Sequence, residues 1–154
     1  MTDCCKCAKF GTCLFARISS FGLEGIAQKL AERRGLTLDH ARQWIAHVGL
    51  DTPMETIDGD PEIVKGARDA LSEGAIKLVD ELRLTIEYYG RQEGALPIDG
   101  LVVCGPGTTI PGLLERLAHD LGQRCEVGRP RPLTGLDDTT AARLTLAYGL
   151  GLEG

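Results

Sequence analysis

The stretch opened by Asp60, Pro61 and Glu62 constrains this chain more than any other. A capping residue, a proline at the first helical position and an acid in the first turn together start a helix. Behind them Ile63, Ala67, Leu71, Ala75, Leu78, Leu82, Ile86 and Tyr89 recur at spacings of three and four, so one apolar stripe runs on to about Arg91. At ~1.5 Å per residue this is a rod of roughly 45 Å along which the other elements must pack. Gly66 and Gly74 weaken that helix by ~1 kcal/mol each relative to alanine, which marks them as places where a neighbour approaches closely.

Shorter elements flank the rod. Residues 12–19 are rich in β-formers and read as a strand running into the turn at Ser20, Phe21 and Gly22. From Leu23, the apolar positions Ile26, Leu30 and Ala31 give a short helix stopped by Gly35 after Arg33 and Arg34. Thr37 caps a second helix whose face is Ala41, Trp44, Ile45 and Val48, and residues 50–59 form a loop. Beyond the rod come a strand at 98–104, a glycine-rich turn at 105–112, a helix at 113–121 and a strand at 124–127. That succession is expected to close as a parallel crossover. A last helix over about 138–150 is capped within Asp137, Asp138, Thr139 and Thr140.

Size and charge narrow the class. A chain of 154 residues that is 43% hydrophobic is expected to form one domain, and its net charge of −5 argues against a nucleic-acid partner. The longest apolar runs, such as 100–104, fall far short of the ~20 residues a membrane span requires, and the first residues lack the apolar core of an export signal. A cytoplasmic location is expected. Cys4, Cys5, Cys7 and Cys13 are poorly spaced for a zinc knuckle, and residues 1–11 read as a disordered or non-native start. Cys104 and Cys125 read as small buried hydrophobes, and His40, His47 and His119 as ordinary helix residues. Trp44 reads as packing. Arg33, Arg34 and Arg42 read as a solvated cation cluster, and Asp80, Glu81, Arg83 and Glu87 as charge on the outer side of the rod.

Candidate chemistry concentrates at residues 101–113, where a strand feeds glycines into a helix start. Glycine lets backbone approach a ligand, and free N–H groups there favour phosphate or hydroxyl oxygens. The segment has neither the lysine of a phosphate-binding P-loop nor the glycine spacing of a dinucleotide fingerprint. A turn that needs glycine for its shape alone is the competing reading.

Four motifs in order resemble a known family. Gly105-Pro106-Gly107-Thr108-Thr109-Ile110-Pro111-Gly112-Leu113 resembles the G-G-x-x-x-x-P-G-L adenosine loop of actin-like ATPases, with Pro106 in place of the second glycine. Ile86-Glu87-Tyr88-Tyr89, Cys13-Leu14-Phe15-Ala16-Arg17-Ile18 and Ala147-Tyr148-Gly149-Leu150-Gly151 resemble the I-x-R-S-L-x-Y-Y, L-x-F-x-R and A-x-G-L-A segments of the PilM family of type IV pilus assembly proteins. The resemblance covers about residues 12–152.

It implies an α/β fold: half of an actin-like, ribonuclease H-like domain, with a mixed sheet flanked by helices and its N-terminal strands missing. Residues 20–59 would be a small helical subdomain and 60–152 the larger α/β subdomain. By resemblance Gly105, Gly107 and Thr108 line an adenine-nucleotide site, with ATP and magnesium as its ligands. Arg42 stands at the position where the family's A-E-x-x-K helix offers the ribose a carboxylate, and Ile45 stands at its lysine. No phosphate-holding hairpin precedes residue 12, so catalysis is not expected of this chain alone.

The implied role is a scaffold in type IV pilus or related secretion machinery, peripheral to the inner membrane through a PilN-like membrane partner. The alternative is a fragment of an actin-superfamily ATPase or sugar kinase completed by another chain. The strand at 12–19 would then be an open edge, which favours self-association.

Overall fold

A computed structural model describes residues 4–9 and 12–152, with side-chain surroundings from Cys13 onward. The rod forms as its capping signal dictates: Asp60 Oδ1 accepts from Glu62 N at 2.9 Å and the helix runs Pro61–Gly90, here α3. Before it lie β1 (Cys4–Lys9), β2 (Thr12–Ile18), α1 (Leu23–Arg34) and α2 (Leu38–Val48). After it lie β3 (Leu101–Val103), α4 (Leu113–Leu121), β4 (Cys125–Val127) and α5 (Asp138–Gly151). Short 3₁₀ turns occupy Met54–Thr56, Pro106–Thr109 and Arg131–Leu133.

The main core lies where α1 and α2 cover the first half of α3. Gly35, at φ 64°, ends α1 with its N–H on Ala31 O, and Thr37 Oγ1 accepts from His40 N at 3.3 Å to start α2. This turn folds the pair back so that Leu30, Ala41, Ile45 and Val48 meet Ala67, Leu71 and Ala75, and all seven are buried. Gly66 and Gly74 are points of close approach by α1. A Cβ on Gly66 would lie 2.5 Å from Arg34 Nε, and one on Gly74 would lie 2.6 Å from Ile26 Cγ1.

Further along α3 the buried stripe drifts to Val79, Thr85 and Tyr89, whereas Leu78, Leu82 and Ile86 are half-buried. The neighbours change there. Phe15 of β2 sets its ring 5.7 Å from Tyr88 and 6.0 Å from Tyr89, and Arg17 donates to Thr85 Oγ1 at 2.9 Å. Arg17 and Ser19 both donate to Glu81, at 3.2 and 3.3 Å, so Glu81 anchors β2 and does not face outward as expected. Opposite, Arg83 donates to Asp120 O at the end of α4.

The architecture corrects the expected mixed α/β sheet of half an actin-like domain. Among the described residues the molecule is mostly helical and its strands form two separate pairs. β1 and β2 run antiparallel, with Cys4 opposite Ile18 and Lys9 opposite Thr12. β3 and β4 run parallel over three residues each. The physical reason is side-chain docking: β2 is held on the second half of α3 by Phe15 and Arg17, and it takes its strand partner from residues 4–9. Those residues were expected as a disordered or non-native start, and β2 as an open edge. β1 pairs one side of β2, and among the described residues the other side has no strand beside it, so β2 remains an edge.

The local crossover β3–turn–α4–β4 does close as a parallel unit, with Leu101 opposite Cys125 and Val103 opposite Val127. Leu113 and Leu117 of α4 are buried beneath it.

Candidate binding site at the glycine turn

The turn joining β3 to α4 is held from both sides by the helical core. Gly105 takes φ 95°, a conformation side chains disfavour, and directs the chain into the 3₁₀ turn. Within it Thr108 N and Thr108 Oγ1 both donate to Gly105 O, at 3.0 and 2.9 Å, and Thr109 Oγ1 donates to Pro106 O. A Cβ on Gly107 would lie 3.1 Å from Leu23 Cδ1, so the first residue of α1 rests on the turn. Ile110 and Leu113 then enter the main core.

The far corner of the turn meets the loop after α2. Leu50 N donates to Pro111 O at 2.7 Å, and Gly112, at φ 75°, lies against Asp51. Arg68 of α3 fixes this loop: its guanidinium donates to Val48 O at 3.1 Å, to Leu50 O at 3.0 Å and to Thr52 O. Three carbonyls at a helix end are thereby satisfied by one cation, although Arg68 Nε is buried without a partner.

The four residues expected at a nucleotide site are placed unequally. Gly105, Gly107 and Thr108 sit together in the turn. Arg42 belongs to α2, where it binds the Glu24 carboxylate with two nitrogens and Asp39 Oδ1 at 2.5 Å. Those bonds hold the Glu24 carboxyl below the usual carboxylate range and push the guanidinium of Arg42 up. Glu24 follows Leu23 directly, so Arg42 connects to the turn through α1. Arg33 and Arg34 are exposed, as expected of a solvated cluster, and pair at the surface with Glu73 at 3.4 Å and Glu62 at 3.2 Å.

These contacts bear on the fit of ATP. Thr108 Oγ1 donates to Gly105 O, and Arg42, on a different element, directs three of its five N–H groups at two carboxylates. The set as placed therefore forms no ready cradle for a triphosphate.

Sequence reasoning missed the cavity on the other flank of the turn. About 500 Å³ opens between Thr108 and Thr109, the end of β4 at Val127, Gly128 and Arg129, and the α5 residues Asp138, Thr139, Ala142 and Thr145. Arg129 pairs with Asp138 at its rim. Its position at the carboxyl ends of two parallel strands is where α/β crossovers place ligands. That rule, applied to the expected crossover, was the available signal. Arg68 also left a trace: Val64 and Ser72 stand at i−4 and i+4, so it has no acidic helical neighbour and its partners had to be tertiary.

Cys104 is exposed where burial was expected, and Cys125 is half-buried. Partial desolvation pushes both thiols above their ordinary value, which keeps them protonated at neutral pH. Among the described residues no cluster of three or more His, Cys, Asp or Glu groups could hold a metal, and no helix is long and apolar enough to cross a membrane. No known family model matches this sequence, and no curated protein matches it.

Proposed function

We propose that this chain is a binding and scaffold component of type IV pilus or related secretion machinery, acting by presenting surfaces to other proteins. The observation that carries this reading is the apolar surface left open on the parallel strand pair and α5. Val102 is 69% exposed, Val127 47%, Leu146 58% and Leu150 65%. In the register Val102 stands beside Glu126 and Val127 beside Val103, so the two exposed valines lie on opposite faces of a parallel pair, both of which are ordinarily covered.

The pilus component of the reading rests on the four ordered motifs. By their resemblance the partner is a PilN-like membrane protein, engaged through its short N-terminal peptide, which places the chain at the cytoplasmic face of the inner membrane. The adenine-nucleotide site at residues 105–108 is incomplete on this reading, because its polar side chains are already committed.

Calorimetric titration with a synthetic peptide from the cytoplasmic N-terminus of a PilN-like protein tests the assignment. Saturable binding of one peptide per chain is expected; absence of heat up to millimolar peptide overturns it. ATP with magnesium in the same buffer should bind weakly at most and release no phosphate. Tight binding with phosphate release would favour an enzyme instead.

A further inference from the structure

The cavity beside the glycine turn has one wall that is fixed in advance. Thr108 and Thr109 stand on the 3₁₀ turn, which Leu23, Ile110 and Leu113 tie to the main core, and α5 lies across that turn to close the space. Its volume of about 500 Å³ falls within the ~300–1,000 Å³ of small-molecule sites. It also opens at the carboxyl ends of β3 and β4, the end at which a parallel pair holds ligands.

The walls select a guest by the sense of their hydrogen bonds. A threonine hydroxyl has one proton, and three wall hydroxyls have given theirs to their own backbone. Thr108 Oγ1 donates to Gly105 O and Thr109 Oγ1 to Pro106 O, each at 2.9 Å, and Thr145 Oγ1 donates to Ala141 O at 2.7 Å. Lone pairs are what each has left, so these groups accept. Asp138 adds a carboxylate at the rim, which takes a bond from Arg129 and keeps lone pairs for others.

Charge narrows the guest further. The Arg129–Asp138 pair cancels at the rim, so a phosphate would meet acceptors and a cation already matched. An ammonium ion would find acceptors but no uncompensated charge. A neutral molecule rich in O–H donors suits both conditions. Val127 and Ala142 add an apolar wall among these acceptors, and a sugar ring presents the same alternation, hydroxyls around a C–H face.

We infer that this cavity binds a neutral cyclic polyol of monosaccharide size, its hydroxyls donating to Thr108, Thr109, Thr145 and Asp138 and its C–H face resting on Val127 and Ala142. The inference requires neither a phosphate nor a partner chain, so it stands or falls separately from the pilus assignment.

Saturation-transfer NMR on the full chain, with D-glucose and myo-inositol as probes titrated into the millimolar range, should show saturable binding of at least one. Inorganic phosphate, followed by its phosphorus linewidth, should show none. Thr145→Val keeps the side-chain volume, removes one acceptor and should weaken polyol binding roughly 2–12-fold, whereas Thr145→Ser should bind as the parent does. Asp138→Asn removes the charged acceptor and should weaken binding at least ~10-fold. Helix content by circular dichroism should match the parent in all three variants, because Asp137 is the residue that caps α5. A parent that binds neither probe overturns the inference, as does one that binds phosphate as well as it binds the polyols. Polyol binding left unchanged by both Thr145→Val and Asp138→Asn also overturns it, because the guest would then sit elsewhere.

Discussion

Separate replacement of Gly66 and Gly74 by alanine makes the same chemical change in the same helix, and the structure requires different outcomes. Each substitution gains ~1 kcal/mol of helix propensity. At Gly66 the new methyl meets Arg34 Nε at 2.5 Å and Cζ at 3.2 Å, the end of a long side chain that is 32% exposed and can swing into solvent. What is lost is its exposed pair with Glu62, a loss of ~0–1 kcal/mol, so the net effect is between neutral and ~1 kcal/mol stabilising. At Gly74 the methyl meets Ile26 at Cγ1, 2.6 Å away, and at Cδ1. Ile26 is 5% exposed and enclosed by the main core, so it has nowhere to move. Overpacking of that kind costs ~1–3 kcal/mol, which leaves Gly74→Ala between neutral and ~2 kcal/mol destabilised. The two variants should therefore differ by ~1.5 kcal/mol at the middle of these ranges, or roughly 3–6 °C in melting temperature at ~2–4 °C per kcal/mol. Thermal melts followed by circular dichroism measure this directly. A Gly74→Ala variant that melts above Gly66→Ala would refute the packing of α1 on α3 at Ile26.

Arg68→Met keeps the stem and removes the donors to Val48 O, Leu50 O and Thr52 O. It should cost ~2–4 kcal/mol in urea denaturation and speed hydrogen exchange at Leu50 N, whose acceptor is Pro111 O. Asp60→Ala removes the α3 cap on Glu62 N and should lower stability by ~0.5–2 kcal/mol, again by urea denaturation. Four carboxyls lie below their usual range: Glu24 through Arg42, Glu73 through Lys29, Asp120 through Arg116, and Asp137 through the Thr140 N–H. A depressed folded pKa means that the native state binds fewer protons, so this stability is present above ~4 and is lost as pH falls through the folded values. Urea midpoints should hold from about pH 7 to 5 and decline below ~4, with a smaller decline at high salt; a decline beginning above ~5.5 would contradict it.

Local signals in the sequence were legible because each is contained within a few residues. The pair Asp60 and Pro61 started α3, Thr37 started α2, and α4 falls on the expected 113–121. The crossover was legible for the same reason, since a strand, a glycine turn, a helix and a strand in sequence admit one handed closure. The pairing of β1 with β2 was not, although only two residues separate the strands. Residues 4–9 carry three cysteines and little alternation, so their match to β2 lies in backbone pairing that composition does not reveal. The pairing of Arg42 was not legible for a related reason: one of its partners, Glu24, is on a neighbouring helix, and no spacing rule reaches across 18 residues.

The stripe on α3 shows where local reasoning stops. Periodicity places apolar residues on one face, but the buried face turns when the neighbour changes from α1 and α2 to β2, so Val79 and Thr85 are buried in place of Leu78, Leu82 and Ile86, while Tyr89 is buried as its place in the stripe predicts. Thr85 is the instructive case. A threonine reads as a poor core residue, yet its hydroxyl donates to Glu81 O at 2.7 Å and accepts from Arg17, so both of its polar demands are met inside. The glycine turn follows the same logic. Its shape is set by Leu23 on one side and by the Arg68-held loop on the other, that is, by the helical core and not by the strand that leads into it. The exposed apolar side chains of β3, β4 and α5 lie outside that core, and the proposed protein contact rests on them.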